Sequence, residues 1–150
     1  MKISKYMKRD FQSVSPHTPM REIARLFFET EKSVLPVTDE NDNLLGIITI
    51  DDFILIFLPD YIDLIRNFDF LHDFGALERS TYSVEEKLLV AEDLMREDVT
   101  PLEETESVMK AAAALHKIQL RRLPVVSGSK LVGMISLDDV CRAIYDMEGS

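Results

Sequence analysis

The chain repeats its own pattern, and this repetition limits the folds open to it. Matching residues recur at an offset of 88 residues in the early part of each copy and 87 residues in the later part. The matching pairs are Met7 with Met95, Leu35-Pro36-Val37 with Leu123-Pro124-Val125, Gly46 with Gly133, and Asp52 with Asp139. The one-residue difference falls where residues 40–43 face the shorter Gly128-Ser129, and such turn-like segments tolerate length changes. Two copies of one small unit are therefore expected.

Each copy predicts the order helix, strand, strand, helix. Thr18 is expected to cap a helix that starts at Pro19, and helical spacing predicts a buried face in each copy. These faces consist of Met20, Ile23, Ala24 and Phe27, and of Val108, Ala111, Ala112 and Leu115. Strands are predicted at residues 34–38, 44–50, 123–126 and 131–137, with a second helix opening at residues 51–52 or 138–139. Because so small a unit cannot cover both faces of its sheet, we expect the copies to pack together about a pseudo-twofold axis.

Residues 59–94 separate the first repeat, 1–58, from the second, 95–150, and this stretch is too long for a simple connection. Helical spacing and a capping-box start at Ser83 predict a helical linker. The helical positions are Tyr61, Leu64, Ile65 and Phe68, then Val84, Leu88, Ala91 and Met95. The linker aromatics could form a partner surface, but core or dimer packing is the expectation for an apolar helical stripe. These aromatics are Phe68, Phe70 and Phe74.

Composition narrows the possible functions. The formal net charge of −10 at pH 7 opposes binding to nucleic acid or to anionic lipid surfaces. The longest apolar run, residues 53–58, is too short to span a bilayer, and the N-terminus lacks the apolar core of a signal peptide. Cys141 is the only cysteine, which excludes an intrachain disulfide and fits a reducing compartment. We therefore expect a cytoplasmic protein with neither nucleic acid nor a membrane among its partners.

Two segments that run from a predicted strand into a predicted helix carry the chemistry. They are Gly46-Ile47-Ile48-Thr49-Ile50-Asp51-Asp52 and Gly133-Met134-Ile135-Ser136-Leu137-Asp138-Asp139. A hydroxyl followed three residues later by an acid is a capping box, which accounts for each segment structurally. The functional alternative is a ligand site, in which glycine lets the ligand approach the backbone and the helix N-terminus offers N–H groups to a phosphate. The carboxylate would then accept two sugar hydroxyls.

The duplicated pattern of Leu-Pro-Val, turn, apolar strand, Gly, two apolar residues, Thr or Ser, two spacers and Asp resembles the CBS domain, named for cystathionine β-synthase. The resemblance covers residues 7–58 and 95–146. It implies two β-α-β-β-α repeats that form one α/β (α+β) module with two symmetry-related clefts. It also implies a homodimer, in which two modules pair into a flat disc. The implied ligand is an adenosine nucleotide, AMP, ADP or ATP, or S-adenosylmethionine, with no cofactor required.

The resemblance assigns nucleotide-binding roles to the motif residues. Asp52 and Thr49 would serve one cleft, and Asp139 and Ser136 would serve the other. In each cleft the acid would hold the ribose diol, and the hydroxyl would lie near the ribose or the phosphate. Apolar residues of the strands could sandwich an adenine ring, but ordinary core packing explains them equally well. These residues are Val37 and Ile48 in one copy, and Val125 and Ile135 in the other.

The two clefts are expected to be unequal. The family often has a basic residue just before the Leu-Pro pair, and Arg122 holds this position in the second copy whereas Val34 holds it in the first. We expect the cleft of Arg122 to hold a phosphorylated ligand better, because arginine supplies charge-assisted donors. The alternative for Arg122 is a solvated charge at a strand edge. Thr18, whose family counterpart approaches the purine, is replaced in the second copy by Glu106, which weakens base recognition there.

Two other classes of function find little support in the sequence. Cys141 falls inside the apolar stretch of a helix with no recognisable histidine partner, so packing rather than catalysis is expected. His72-Asp73 with Asp69 lacks the spacing of metal ligands, so no metal site is expected.

The expected function is that of a non-catalytic sensor, which binds the nucleotide and regulates a separate, unidentified protein by a population shift. The alternative is a ligand-free CBS scaffold for dimerisation or partner binding. The small side chains of residues 111–114 would suit such a scaffold, because they allow close helix approach.

Overall fold

The computed structural model describes residues 1–58 and 89–149 as helices and paired strands. In chain order the described elements are α1 (Ile3–Tyr6), α2 (Met20–Thr30), β1 (Val34–Thr38), β2 (Leu44–Thr49), α3 (Ile50–Leu55), α4 (Ala91–Leu94), β3 (Leu102–Glu103), α5 (Val108–Ile118), β4 (Arg122–Ser127), β5 (Lys130–Ser136) and α6 (Leu137–Glu148). The helical positions predicted between Tyr61 and Leu88, the linker aromatics and the His72 cluster lie outside the described residues.

The second repeat has the β-α-β-β-α order, as β3-α5-β4-β5-α6. Its sheet has the strand order β3-β4-β5, in which β3 is parallel and β5 antiparallel to β4. In the first repeat, β1 and β2 form the antiparallel pair, and the leading strand is reduced to a single parallel bridge between Val14 and Val37. This bridge corresponds in the second repeat to the pairing of Leu102 with Val125. The predicted α/β (α+β) class with two equivalent repeats is confirmed.

The predicted strands are confirmed to within one residue at each end. The helices that follow them begin one residue earlier than predicted, at Ile50 and Leu137, because the preceding hydroxyl residues serve as N-caps. Thr49 Oγ1 accepts a hydrogen bond from the backbone N–H of Asp52 at 3.1 Å, and Ser136 Oγ accepts one from Asp139 at 3.2 Å. The capping interpretation of both motif segments is therefore confirmed at the level of the hydroxyl groups.

The predicted cap of α2 is wrong. Pro19 takes the N-cap position, with φ −73° and ψ 155°, and makes no side-chain cap. The Thr18 hydroxyl instead accepts a hydrogen bond from the backbone N–H of Ser15 at 3.0 Å. Thr18 N–H also donates to the Ser15 carbonyl at 3.1 Å, so a local turn competes successfully for the threonine. In the second repeat, α5 is capped by Ser107, which accepts from Lys110 N–H at 3.1 Å.

Each repeat packs its first helix and one side of its strands into an apolar cluster. The predicted helix faces are confirmed, since Met20, Ile23, Phe27, Val108, Ala111 and Leu115 are buried and Ala24 and Ala112 pack against them. A third cluster joins the two halves. It consists of Val34, Ile47 and Met134, with Phe11, Val99 and Leu120 packed against them. The expected packing of one copy on the other is therefore confirmed.

The segment at the start of each repeat pairs with the opposite repeat. Lys8 N–H donates to the Met134 carbonyl at 2.8 Å, and Met134 N–H donates back to Lys8 at 2.9 Å. At the equivalent positions, Arg96 N–H donates to the Ile47 carbonyl at 2.8 Å, and Ile47 N–H donates back at 3.0 Å. Helix α1 accordingly packs into the core of the second repeat, and α4 into that of the first. Each apolar core is therefore built from one repeat and the helix that crosses onto it, and not from one continuous stretch of sequence.

The predicted helical face that runs from Val84 to Met95 is wrong at its C-terminal end. Val90 is extended, with φ −123° and ψ 173°, so α4 starts only at Ala91. The cause is pairing with the first repeat, because Val90 bridges Pro19 and the Leu89 carbonyl accepts from Met20 N–H at 3.3 Å. Among helices of the described ranges, none has the length and apolar character needed to cross a bilayer.

Candidate functional site

A cavity of about 180 Å³ opens where the two halves meet. We call it the junction cavity, and its described lining includes three cationic side chains, Lys8, Lys32 and Arg122, together with the acid Asp10. Its apolar lining includes residues of both repeats, among them Phe11, Val34 and Met134. A concave site with apolar walls and convergent cations suits a flat apolar ring that carries a phosphate.

A second cleft of about 270 Å³ lies beside the junction cavity and shares Arg122 with it. We call it the polar cleft, and Glu31, Ser33, Arg121, Arg122, Ser136, Leu137 and Asp138 line it. The structure thus brings Arg122 and Ser136 together, as the sequence indicated. Arg122 is partly buried between two cavities. The alternative of a solvated charge at a strand edge also stays a prediction, since the Arg122 side chain is partly exposed.

Asp139 is 1% exposed and is engaged by four groups of the protein. Its Oδ2 accepts hydrogen bonds from Ser136 N–H at 2.9 Å and from Ser136 Oγ at 3.0 Å, which closes the capping box. Its Oδ1 accepts from Arg142 Nη2 at 3.2 Å and lies 3.6 Å from Lys8 Nζ. In this arrangement Asp139 supports the start of α6, and no oxygen is presented openly to the cavity.

Asp52 is held differently, by an arginine from the segment that crosses onto its repeat. Arg96 Nε donates to Asp52 Oδ2 at 2.6 Å, and Arg96 Nη2 donates to Oδ1 at 3.1 Å. The hydrogen bonds from Arg96 lower the pKa of the Asp52 carboxyl, with a smaller contribution from Thr49, while partial burial opposes the shift. Thr49 itself is buried.

The two motif glycines face protein backbone. A Cβ at Gly46 would lie 2.5 Å from the Arg96 carbonyl oxygen, and one at Gly133 would lie 2.8 Å from the Lys8 carbonyl oxygen. The expectation that these glycines admit a ligand is therefore wrong for this structure. They admit the segment that crosses from the other half, because only a residue without a side chain leaves room for it.

The predicted adenine walls lie in the two repeat cores. Val37, Ile48, Val125 and Ile135 are each 0% exposed and pack in the helix-covered clusters. Their assignment to a ligand site is wrong, because the strand faces that carry them are covered by helices. Thr18 is also absent from the described linings of the junction cavity and the polar cleft, since the turn with Ser15 holds it elsewhere.

Besides Lys32 of the junction cavity, sequence reasoning missed Lys8 and Arg96. Both are basic, they lie 88 residues apart, and each directly follows a methionine of the repeat. Each reaches the motif acid of the repeat onto which its segment crosses. The shared offset and charge were a usable signal, although nothing local indicated that the segments exchange.

Cys141 is exposed on α6, so the expectation that it packs in the core is wrong. Its neighbours Val140 and Ala143 take the buried face of the helix instead. Within residues 1–58 and 89–149, no group of three or more His, Cys, Asp or Glu side chains is arranged to hold a metal ion.

Comparison with known proteins gives consistent relatives. CBSX1, a chloroplastic CBS domain-containing protein of Arabidopsis thaliana, is 31% identical over 150 residues, covering 95% of this chain and 63% of the relative. A homoserine O-acetyltransferase of Methanobrevibacter ruminantium is 26% identical over 139 residues, covering 92% of this chain but only 23% of the relative. The chain therefore spans less than two thirds of the length of either curated relative.

Among solved structures, CBSX2 of Arabidopsis thaliana in complex with AMP superposes with a TM-score of 0.73 at 26% identity. The match covers 98% of both chains. The family model of the CBS domain matches this chain twice, at residues 3–58 and 90–146. These two matches include both motif segments and both crossing segments. The chain therefore belongs to the CBS domain family, as a tandem pair.

Proposed function

We propose that the chain is a non-catalytic regulatory module that binds an adenosine nucleotide, with AMP as the first candidate, in the junction cavity. The proposal rests on one observation: Lys8, Lys32 and Arg122 line the same cavity, although the net charge of the chain is −10. A protein with this net charge repels anions at long range, so an anionic ligand needs a local cluster of cations to bind. The clustered cations therefore indicate an anionic ligand. CBSX2, solved with AMP, supplies the nucleotide class.

The ribose would lie near Ser136 and Asp139, between the junction cavity and the polar cleft. The polar partners that the structure gives Asp139 Oδ1 are Arg142 and Lys8, and both of these side chains are 49% exposed. Because the two cationic partners are themselves partly exposed and can turn to solvent, a diol that brings its own hydroxyl donors can replace them. Lys8, once released, would turn to the phosphate.

Nucleotide binding would couple the two halves of the module. The junction cavity is lined by β1 of the first repeat and by residues of β4 and β5 from the second, so a bound ligand contacts both. A ligand that prefers one separation of the halves shifts the population toward it. In this proposal the module acts as a cytoplasmic homodimer, and a separate protein reads that separation.

The test is calorimetric titration of the purified chain with AMP, ADP, ATP, S-adenosylmethionine and adenosine, together with thermal unfolding in their presence. AMP should bind more tightly than adenosine and should raise the melting temperature, because a ligand specific for the folded state stabilises it by mass action. If none of the five compounds binds or shifts the transition, the sensor proposal is wrong.

A ligand-free scaffold is the second candidate, and one observation favours it. Both motif acids already have protein partners. Arg96 binds Asp52, and Ser136, Arg142 and Lys8 contact Asp139. Apolar side chains are exposed on α5 and α6, including Met109 and Tyr145, and could serve assembly. A homodimer seen by light scattering, combined with no binding of any nucleotide, would select this candidate.

A further inference from the structure

The basic residues that cross onto the two repeats engage the motif acids unequally. Arg96 binds both oxygens of Asp52, with donor to acceptor distances of 2.6 and 3.1 Å. Lys8, its equivalent 88 residues earlier, approaches a single oxygen of Asp139 at 3.6 Å. A planar guanidinium with two aligned donors grips a carboxylate with a specific geometry, whereas a distant ammonium acts as a point charge.

The difference changes what each acid does. At α6 the carboxylate of Asp139 returns to Ser136 N–H at 2.9 Å and completes the capping box. At α3 the Thr49 hydroxyl still caps Asp52 N–H, but the Asp52 carboxylate is turned toward Arg96. Arg96 therefore donates two hydrogen bonds to the Asp52 carboxylate, and the two hydroxyls of a ribose diol would donate to it in the same way.

Two of the three cations in the lining of the junction cavity have apolar equivalents in the other half. The 88-residue offset places Leu120 opposite Lys32, and Val34 opposite Arg122. Leu120 and Val34 both belong to the apolar cluster between the halves, together with Ile47. Of the three cations in the junction cavity, only Lys8 has a basic equivalent, and that equivalent is the arginine already bound to Asp52.

We propose that Arg96 is an internal substitute for a nucleotide ribose, so that the half of the module around Asp52 is closed and each chain binds one nucleotide, at the junction cavity. This inference rests on the proposed function and adds its stoichiometry. The hydrogen bonds with Asp52 raise the pKa of Arg96, which agrees with a persistent ion pair. Arg96 thereby determines which of the two related clefts accepts a ligand.

The first measurement is the stoichiometry of AMP binding to the wild-type chain by calorimetry and by equilibrium dialysis. One AMP per chain is expected. Two AMP per chain would overturn the inference while leaving the proposed function intact. No binding of any adenosine nucleotide would overturn the proposed function, and the inference with it.

The second measurement uses Arg96→Ala with adenosine, which needs no phosphate-binding cation. Freeing both oxygens of Asp52 should add a second, weaker site, so that dialysis reports close to two adenosines per chain at saturation. The matched control is Lys8→Ala, which removes the equivalent basic side chain and should weaken AMP binding without adding a site. An unchanged adenosine stoichiometry in Arg96→Ala would overturn the role of Arg96.

Arg96→Lys provides the same comparison if the alanine variant folds poorly. It keeps the charge and the alkyl stem but cannot span both carboxylate oxygens. A second adenosine site, weaker than in Arg96→Ala, is expected. The carboxyl resonance of Asp52, followed by NMR titration, should also move toward the ordinary aspartate pKa in both variants. Retention of one site and of the wild-type titration in Arg96→Lys would contradict the proposal.

Discussion

The carbonyl oxygen of Lys8 lies so close to Gly133 that a Cβ on the glycine would be 2.8 Å away from it. Gly46 and Arg96 repeat the relationship in the other half, at 2.5 Å. Each glycine lies in a strand of one repeat, and each carbonyl belongs to the segment that crosses onto it. The motif glycines thus serve the joining of the halves.

Gly133→Ala should destabilise the fold by about 2 to 3 kcal/mol, because the added methyl group must displace backbone and the Met7 side chain beside it. Urea unfolding followed by circular dichroism measures the change. Gly149→Ala is the matched control, since a Cβ there meets only ordinary contacts of 3.5 Å or more. Equal stabilities of the two variants would show that the crossing segment adapts without cost.

Asp139→Ala should cost about 2 to 3 kcal/mol of unfolding free energy, because it removes a buried acid that closes a capping box and leaves its donors without an acceptor. The neighbouring Asp138→Ala, which truncates an exposed side chain, should change stability by less than about 0.5 kcal/mol. Chemical denaturation of both variants tests the pair. Similar losses in the two would mean that burial of Asp139 contributes little.

The ion pair between Asp52 and Arg96 makes stability dependent on pH at the acidic end. The pKa of Asp52 is lowered in the folded chain, so its contribution is present above the unfolded aspartate pKa of about 3.9 and is lost as pH falls through the folded value. The stability difference between wild type and Asp52→Asn should therefore shrink as pH is lowered from about 6 to about 3. Asp138→Asn serves as the control, and a difference for Asp52→Asn that stays constant with pH would contradict the assignment.

Arg122→Ala should weaken AMP binding about tenfold, which corresponds to loss of one charge-assisted phosphate contact of about 1.4 kcal/mol, and should leave adenosine binding nearly unchanged. Calorimetric titration of both ligands measures the contrast. Arg21→Ala removes an equal charge from an exposed position outside the described cavity linings. If Arg21→Ala weakened AMP binding as much, the effect would be one of net charge alone.

Local patterns were sufficient to predict most of the fold. The buried faces of α2 and α5 follow from helical spacing, and the starts of α3 and α6 follow from a hydroxyl with an acid three residues later. Where the sequence misled, two local patterns competed, as at Thr18, whose hydroxyl serves a turn with Ser15 rather than the helix. Propensity alone does not decide between such alternatives.

The site was predicted less completely, because its geometry depends on contacts between distant segments. The repeat predicted that Arg122 and Ser136 lie in one cleft, and both line the polar cleft, but the contact of Asp139 with Lys8 joins segments that are far apart in the sequence. From the sequence alone, Ile48 and Ile135 suited a ligand wall and a core equally well, and in the structure both are buried in the core. Which face the helices cover is decided by packing, and no single-strand pattern reports it.

Because α1 completes the core of the second repeat and α4 that of the first, cutting the chain between the repeats would leave each fragment without part of its own interior. Neither fragment alone should hold a stable tertiary structure. Mixed together, they should recover it by complementation, each donating to the other the piece that it carries. The two copies would then depend on each other for folding, although each carries a complete copy of the sequence pattern.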